Sequence, residues 1–555
     1  MATQPFQKLC SIRGTSTVIA AAGSKLLGID LASGKASWKL PRSSSSSTES
    51  HTNGEEPTSK RRKLDNSHAV ADVTASISRG SSEDSINFKT ERLKGERKKS
   101  KVEKEAPPPN VSHLFATHNG KHLIVVTAED KAVSIYNVIS TPLGTDLVLQ
   151  SKRHMPKRLS AATLTPDERF LVVGDKFGDV YELPLLPTEG WVPPEKKTTD
   201  AKIFEPSATE LTVHTKGNLQ ALKQQKQQKV MKKEREGLLF EHRVLLGHVS
   251  LLTDVALARI MVDGKERRFV LTSDRDEHVR VSRYPQAHVI EGFCLGIKEF
   301  VSRLCVVPWA TQWVAVGTGE PSLRIYEWLS GKLLDMDDFQ GVAELLEVLS
   351  PSSAQESEDR KLAVSGIWPV SVADVNATAG KACGQLLVAL EGVPLLFCYS
   401  INAEGKITPS QKLEMDGNIL DVAALEAPPN TSSIAVSIDT AHGAGSTASY
   451  MPDTATKRDP VTVFRLESHE NGEKWVPSEQ PPTMRTAVAQ VGELPGIPEA
   501  NSSGRLDRRK GPYSPLGEFL YGLENLRKKR GDAAQDPEED DGDEGLGEGG
   551  APPDV

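Results

Sequence analysis

The 555-residue chain is long enough for several ordinary domains, or for one large repeat fold with tails. A hydrophobic fraction of 37% is low for a wholly globular chain and points to disordered segments beside the folded part. The net charge of −8 resides at the C-terminal end: residues 536–555 carry nine Asp and Glu and no Lys or Arg, leaving a near-neutral body suited to protein partners, with nucleic acid as a second contact. Five scattered cysteines (Cys10, Cys294, Cys305, Cys383, Cys398) form no CxxC pair, so they read as reduced thiols and not as a metal site or disulfide frame. No stretch approaches the roughly 20 apolar residues of a membrane span, and polar sequence precedes the short apolar run VIAAAG, unlike a signal peptide. The expectation is a soluble, intracellular protein with no membrane contact.

In chain order, one pattern recurs: TVIAAAGSKLLGIDL (17–31), LIVVTAEDKAVSIYNV (123–138), FLVVGDKFGDVYELPL (170–185), FVLTSDRDEHVRVSRY (269–284), WVAVGTGEPSLRIYEW (313–328) and LLVALEGVPLLFCYS (386–400). Each is an apolar run, a small polar turn and a second run with alternating apolar positions, which is a β-hairpin signature. A weaker seventh copy joins IAVSIDT (434–440) to VTVFRL (461–466) through a long polar loop. Further β-like runs (VSHLFATH, LSAATLTPDERF, LLTDVALARI, VSRLCVVPW, ILDVAAL) precede most hairpins, at a period of about 45 residues where no insertion intervenes. Three to four strands per unit and seven units predict an all-β, seven-bladed WD-type β-propeller with disordered insertions and a C-terminal amphipathic helix.

Residues 1–40 supply the first blade strands, 110–185 and 241–490 the others. Residues 41–109, Ser-rich and basic and ending APPPN, read as a disordered insertion. Residues 186–240 read as a polar insertion whose LQALKQQKQQKVMKKEREGLLF portion favours a solvated helix. Within 491–555, Leu516, Phe519, Leu520, Leu523 and Leu526 recur at helical spacing, predicting a docked helix over 514–531 before an acidic disordered tail.

Gly247-His248 opens the repeat closest to the WD signature, and Asp276 lies 28 residues after His248, in the hairpin turn. The expectation is a structural His248–Asp276 hydrogen bond of the kind that pins WD turns. GTGEP (317–321) lacks the third glycine and following helix of an anion site, so it reads as a hairpin turn, and GLGEGG lies in the acidic tail. No GxSxG, HExxH or CxxC-based set is present, so no cofactor, metal, small-molecule substrate or catalytic residue is expected. The basic cluster Lys60, Arg61, Arg62 and Lys63 reads as a nuclear localisation signal, placing the protein in the nucleus.

The stretches DKFGDVY, GHVSLLTDV, SDRDEHVRVS and FCLGIKEFVSRL stand in order within 160–304 and closely resemble the WD-repeat, non-catalytic subunit of the eukaryotic tRNA (guanine-N7-)-methyltransferase. The LENLRKKR segment is similar to the basic C-terminal helix of that family. The resemblance implies a heterodimer in which a separate subunit performs the methylation of a tRNA variable-loop guanine. The propeller then holds that subunit active, with at most a secondary share in tRNA binding. It also implies that the turn and strand Asp274–Arg283 dock the enzyme subunit, with Arg280 pairing an acid of the partner and Asp276, Glu277 and His278 beside it. Lys176 and Asp179 of DKFGDVY are further candidates for contact with partner or tRNA. From spacing alone the bland alternative stands: Arg324 of SLRIY occupies the place of Arg280 in the next repeat, and a basic residue there is ordinary. Two other readings follow from the fold: a general adaptor in a ubiquitin-ligase or chromatin complex, and an enzyme acting through the central channel.

Overall fold

Apolar runs such as TVIAAA (17–22), buried at every position, demand cover on both faces of a sheet. In the computed structural model they receive it from neighbouring sheets arranged in a ring. The structure describes residues 5–31, 36–39, 42–43, 108–141, 144–192, 219–220, 222–223, 238–349, 361–372, 383–425, 432–447, 458–469, 472–478 and 515–528.

Blade 1 comprises β1 (Lys8–Ser11), β2 (Thr17–Ala22), β3 (Lys25–Asp30) and β4 (Ala36–Lys39). The two-residue β5 (Arg42–Ser43) adds in parallel to the outer edge of blade 2, which runs β6 (Val111–Ala116), β7 (His122–Thr127), β8 (Ala132–Thr141) and β9 (Gly144–His154). Blade 3 is β10 (Leu159–Leu164), β11 (Phe170–Asp175), β12 (Asp179–Pro184) and β13 (Arg243–Gly247). Blade 4 is β14 (Leu252–Val262), β15 (Lys265–Asp274), β16 (Val279–Tyr284) and β17 (Ile290–Cys294). Blade 5 is β18 (Val301–Val306), β19 (Trp313–Thr318), β20 (Leu323–Glu327) and β21 (Lys332–Asp337), followed by the short helix α1 (Val342–Leu349). Blade 6 is β22 (Val364–Val372), β23 (Cys383–Leu390), β24 (Leu395–Ile401) and β25 (Ile407–Glu414). Blade 7 is β26 (Ile419–Leu425), β27 (Ser433–Ile438), β28 (Val461–His469) and β29 (Gly472–Pro477). The fold is the seven-bladed β-propeller expected from the repeats.

Among the described residues the core comprises seven packings, one per blade junction, and a small eighth where Leu523 meets Phe300 and Ala363. Val18 and Ala20 of blade 1 meet Ala435 and Val461 of blade 7, while the alternate residues Ile19 and Ala21 meet Leu123 and Val125 of blade 2. Each middle strand thus serves two junctions with its two faces. Burial of that apolar area, at about 25 cal/mol per Å², drives the closure. α1 adds Val342 and Leu346 to the junction of blades 5 and 6, a helix the repeat pattern did not announce. Cys10, Cys294, Cys305 and Cys398 are buried, and burial pushes each thiol up to about 12, as suits inert core residues.

Every blade is made of consecutive strands, so among the described residues no sheet pairs a strand of blade 1 with one of blade 7. Side chains on the innermost strands clasp successive blades instead. Asp421 Oδ2 of blade 7 accepts the Leu9 amide of blade 1 at 2.8 Å, and Asp254 Oδ2 accepts the Leu304 amide of blade 5 at the same distance. Arg303 donates through Nε to the Ser365 carbonyl of blade 6 at 2.8 Å, and His113 Nε2 to the Ser160 carbonyl of blade 3 at 3.2 Å.

The C-terminal segment departs from the single helix expected over 514–531. α2 (Pro515–Leu520) ends after six residues, and a 3₁₀ turn follows at Leu523–Leu526. The side chains on either side of the break explain it: Tyr521 and Leu523 dock on different blades, which one straight helix does not allow. Of the predicted Lys/Gln-rich helix, residues 219–220 and 222–223 are described and helical, with Leu222 buried. The remainder of 186–240 between 193 and 237, the insertion from 44 to 107 and the acidic tail lie outside the described residues.

Candidate docking site

The hairpin turn of blade 4 is held by its own polar network. His248 Nδ1 bonds Asp274 Oδ2 at 2.8 Å and His248 Nε2 bonds Thr272 Oγ1 at 2.8 Å. Asp274 Oδ1 accepts the Asp276 amide at 2.9 Å. The structural acid of the turn is therefore Asp274, not Asp276 as expected from the sequence. Asp274 ends β15 with its side chain directed inward, where it reaches the imidazole. Asp276, two residues on, is at the exposed tip. His248 thus bonds Asp274 and Thr272 in place of Asp276.

Freed of that task, Asp276 and Glu277 project from the turn. Glu277 has φ +76°, a left-handed conformation that disfavours a side chain, whereas the corresponding turn of blade 3 uses Gly178 at φ +103°. A Cβ on Gly178 would lie 2.4 Å from the His248 carbonyl. Blade 4 thus displays a carboxylate where its neighbour has only backbone. Both acids face a cation of the same chain: Lys528 Nζ lies 3.1 Å from Asp276 Oδ1 and 3.2 Å from Glu277 Oε1. His278 packs edge-on against Phe293 with ring centroids 5.4 Å apart.

Arg280 lies on β16 between buried Val279 and Val281. Its Nε donates to Ser282 Oγ at 3.0 Å, Nη1 to the Gly247 carbonyl of blade 3 at 3.3 Å and Nη2 to the Ala287 carbonyl at 3.2 Å. These acceptors are neutral, and among the described residues no carboxylate forms an ion pair with it. Burial lowers its pKa from the usual arginine value without any compensating acid. A half-buried, oriented guanidinium with uncompensated charge is suited to one more acidic group arriving from outside.

Blade 3 brings the other predicted residues near. Asp179 pairs in register with Gly247, the residue whose carbonyl Arg280 engages. Lys176 is exposed, and its Nζ sits 5.0 Å from the centroid of the Phe177 ring, with Lys157 Nζ at 4.5 Å. This aromatic flanked by ammonium groups joins Lys176 to a partner the sequence reading missed. Also missed were exposed Phe293 and Leu295, which flank buried Cys294, and exposed Val249. The alternation in GFCLG was the available signal, since it turns outward two large apolar side chains, Phe293 near the end of the edge strand β17 and Leu295 just past it. Lys60, Arg61, Arg62 and Lys63 lie outside the described residues.

The ring and its His–Asp-pinned turn define a WD-type β-propeller. The family described as tRNA methyltransferase TRM82 WD40 domain matches residues 18–464, and the chain belongs to that family. Among relatives, the tRNA (guanine-N(7)-)-methyltransferase non-catalytic subunit trm82 of Aspergillus oryzae is 40% identical over 76% of this chain and 78% of its own length. The protein of the same name in Coccidioides immitis is 38% identical over 75% and 77%. That of Aspergillus clavatus is 32% identical over 95% and 97%. The chain is accordingly a non-catalytic WD-repeat member of that family.

Proposed function

We propose that this chain binds and stabilises the catalytic subunit of a tRNA guanine-N7 methyltransferase and is required for methylation in the tRNA variable loop. Membership of the family supports the reading, and the observation that carries it to particular residues is the Arg280 guanidinium, oriented by neutral acceptors and lacking an acid. Arg280 pairs an acidic residue of the catalytic subunit. Asp276, Glu277 and His278 contact it alongside, and Phe293 and Leu295 give the contact an apolar centre, the arrangement in which interface residues contribute most. The tRNA is a secondary contact. The Lys157–Phe177–Lys176 cluster and Asp179 lie on the adjoining blade, and the two ammonium groups suit phosphate. The KRRK cluster at 60–63 directs the protein to the nucleus.

The test is co-expression with the candidate catalytic subunit, then tRNA methylation with and without this chain. A stable complex and loss of N7-methylguanosine on deletion are expected. Unchanged N7-methylguanosine in tRNA from a deletion strain rejects the proposal. Nuclear targeting is checked separately: changing Lys60, Arg61, Arg62 and Lys63 to Ala in a fluorescent fusion moves it to the cytoplasm, and unchanged nuclear signal rejects that role.

A further inference from the structure

The segment 515–528 forms a strap across one face of the ring, and its attachments differ in kind along its length. At blade 7 the Tyr521 hydroxyl donates to Asp439 and accepts from Asn418 Nδ2 at 3.1 Å, with the His442 ring edge-on at 5.5 Å. At blade 6 the Leu523 amide donates to Glu391 Oε1 at 3.1 Å, and Leu523 packs with Phe300 and Ala363. Arg527 is buried: its Nη2 donates to the Lys361 carbonyl at 3.0 Å, its Nη1 lies 3.3 Å from Glu299 Oε2, and its guanidinium is 5.5 Å from the Phe300 ring centroid. The Arg527 carbonyl accepts from Arg275 Nη2 at 3.2 Å, bringing the strap to blade 4. Only then comes Lys528, on Asp276 and Glu277.

We infer that Lys528 is an internal placeholder, occupying the acidic half of the docking edge until a basic side chain of the catalytic subunit displaces it. This rests on the docking reading above. The side chains of Lys528, Asp276 and Glu277 are 50%, 46% and 38% exposed, so their pairs are screened and weak. The anchoring contacts of Tyr521, Leu523 and Arg527 are buried or part-buried and charge-assisted, and hold whether or not the tip is attached. Releasing Lys528 returns an already hydrated ammonium to water at small cost. Its place is then open to a cation held on a rigid partner surface, with less side-chain entropy to lose. Occupancy by Lys528 also neutralises the two acids in the free protein, which limits capture of unrelated basic partners.

The experiment measures binding of the purified catalytic subunit from the same genome to the full-length chain, wild type and Lys528→Ala. Removing an exposed competitor is expected to tighten binding about two- to fivefold at low salt, with the gain shrinking as salt is raised. In an Asp276→Asn/Glu277→Gln background, where nothing remains to compete for, Lys528→Ala is expected to have no effect. Amide exchange gives a second readout: on complex formation protection of 521–527 persists. Unchanged or weaker binding by Lys528→Ala in the wild-type background overturns the inference and makes Lys528 either a bystander or part of the interface. Loss of protection across 521–527 overturns it as well, since the whole strap then leaves. Absence of binding by the unmodified chain overturns the docking reading itself and this inference with it.

Discussion

Arg280 of blade 4 and Arg324 of blade 5 occupy the same place in successive repeats. Each follows a buried residue at the start of its strand and donates through Nη1 to the carbonyl of a glycine five residues before its blade's first strand, Gly247 for Arg280 and Gly296 for Arg324. Each also turns its Nε toward a serine hydroxyl two residues from it. They part at the third contact. Arg324 Nη2 meets Glu320 Oε2 at 3.2 Å, and its side chain is only 8% exposed. Arg280 Nη2 meets a neutral carbonyl and the side chain stays half-buried. One repeat settles its guanidinium internally; the other orients it and leaves the charge for something else. A basic residue at this position is therefore a blade clamp by default, and its capacity to dock a partner depends on whether the turn supplies an acid.

The largest test of that difference is Arg280→Glu. Reversing the charge opposite a partner acid is expected to cost roughly 2–5 kcal/mol of binding, read as loss of the catalytic subunit on co-purification. The thermal midpoint is expected to fall only slightly, because the lost contacts are to neutral, partly solvated acceptors. Unaltered co-purification rejects the docking role, and loss of the fold makes Arg280 a clamp and nothing more. Arg324→Ala is the mirror experiment. It strands Glu320 beside a buried site and is expected to cost about 2–3 kcal/mol of stability in denaturant unfolding, with partner affinity of the folded protein unchanged. If Arg324→Ala instead abolishes binding while stability holds, the two arginines have exchanged roles and the distinction fails.

His248→Ala probes the support beneath Arg280. It removes the imidazole bonded to Asp274 Oδ2 and Thr272 Oγ1 in a buried turn, while Asp274 keeps the Asp276 amide, at an expected cost of about 2 kcal/mol in unfolding free energy. Because Asp274 also fixes the Asp276 amide, partner binding is expected to weaken as well, by less than in Arg280→Glu. A stability loss with fully retained binding separates the turn from the docking edge.

How far these differences were legible in the sequence follows from where each residue sits. The middle strands bury both faces, so TVIAAA, FLVV and WVAV appear as apolar runs, and seven of them announce the ring. Apart from β9, which β5 flanks, the fourth strands have no paired outer neighbour among the described residues. β21 reads KLLDMD with no buried position, and nothing in its pattern distinguishes it from a loop. Spacing points to Asp276 but fixes the turn only to within a residue or two, whereas the hydrogen bond to His248 depends on which side chain points inward, and that is Asp274. Lys528 was legible as a basic residue ending a helix. That it reaches a turn about 250 residues earlier is a consequence of the ring, which no local pattern encodes.

The remaining expected effect, no larger than these, concerns a charge kept off the docking edge altogether. His113 bridges blades 2 and 3 through the Ser160 carbonyl, and burial pushes its pKa down to about 3, aided by Lys8, Arg303 and Arg158 and opposed by that carbonyl. The folded ring therefore holds this imidazole neutral while the unfolded chain protonates it near 6.5. Below that value the unfolded state binds the extra proton, so stability is full above about pH 6.5 and declines as pH falls toward 3. His113→Gln retains a donor to the carbonyl but cannot titrate. The wild type is expected to lose about 2 kcal/mol more than this variant between pH 7 and pH 5, measured by urea unfolding. Co-purification with the catalytic subunit at pH 7 is expected to be the same for both. Identical pH slopes reject the buried neutral imidazole. A binding defect in His113→Gln extends the docking surface into the channel and removes the division between groups settled inside the ring and the Arg280 charge left for a partner.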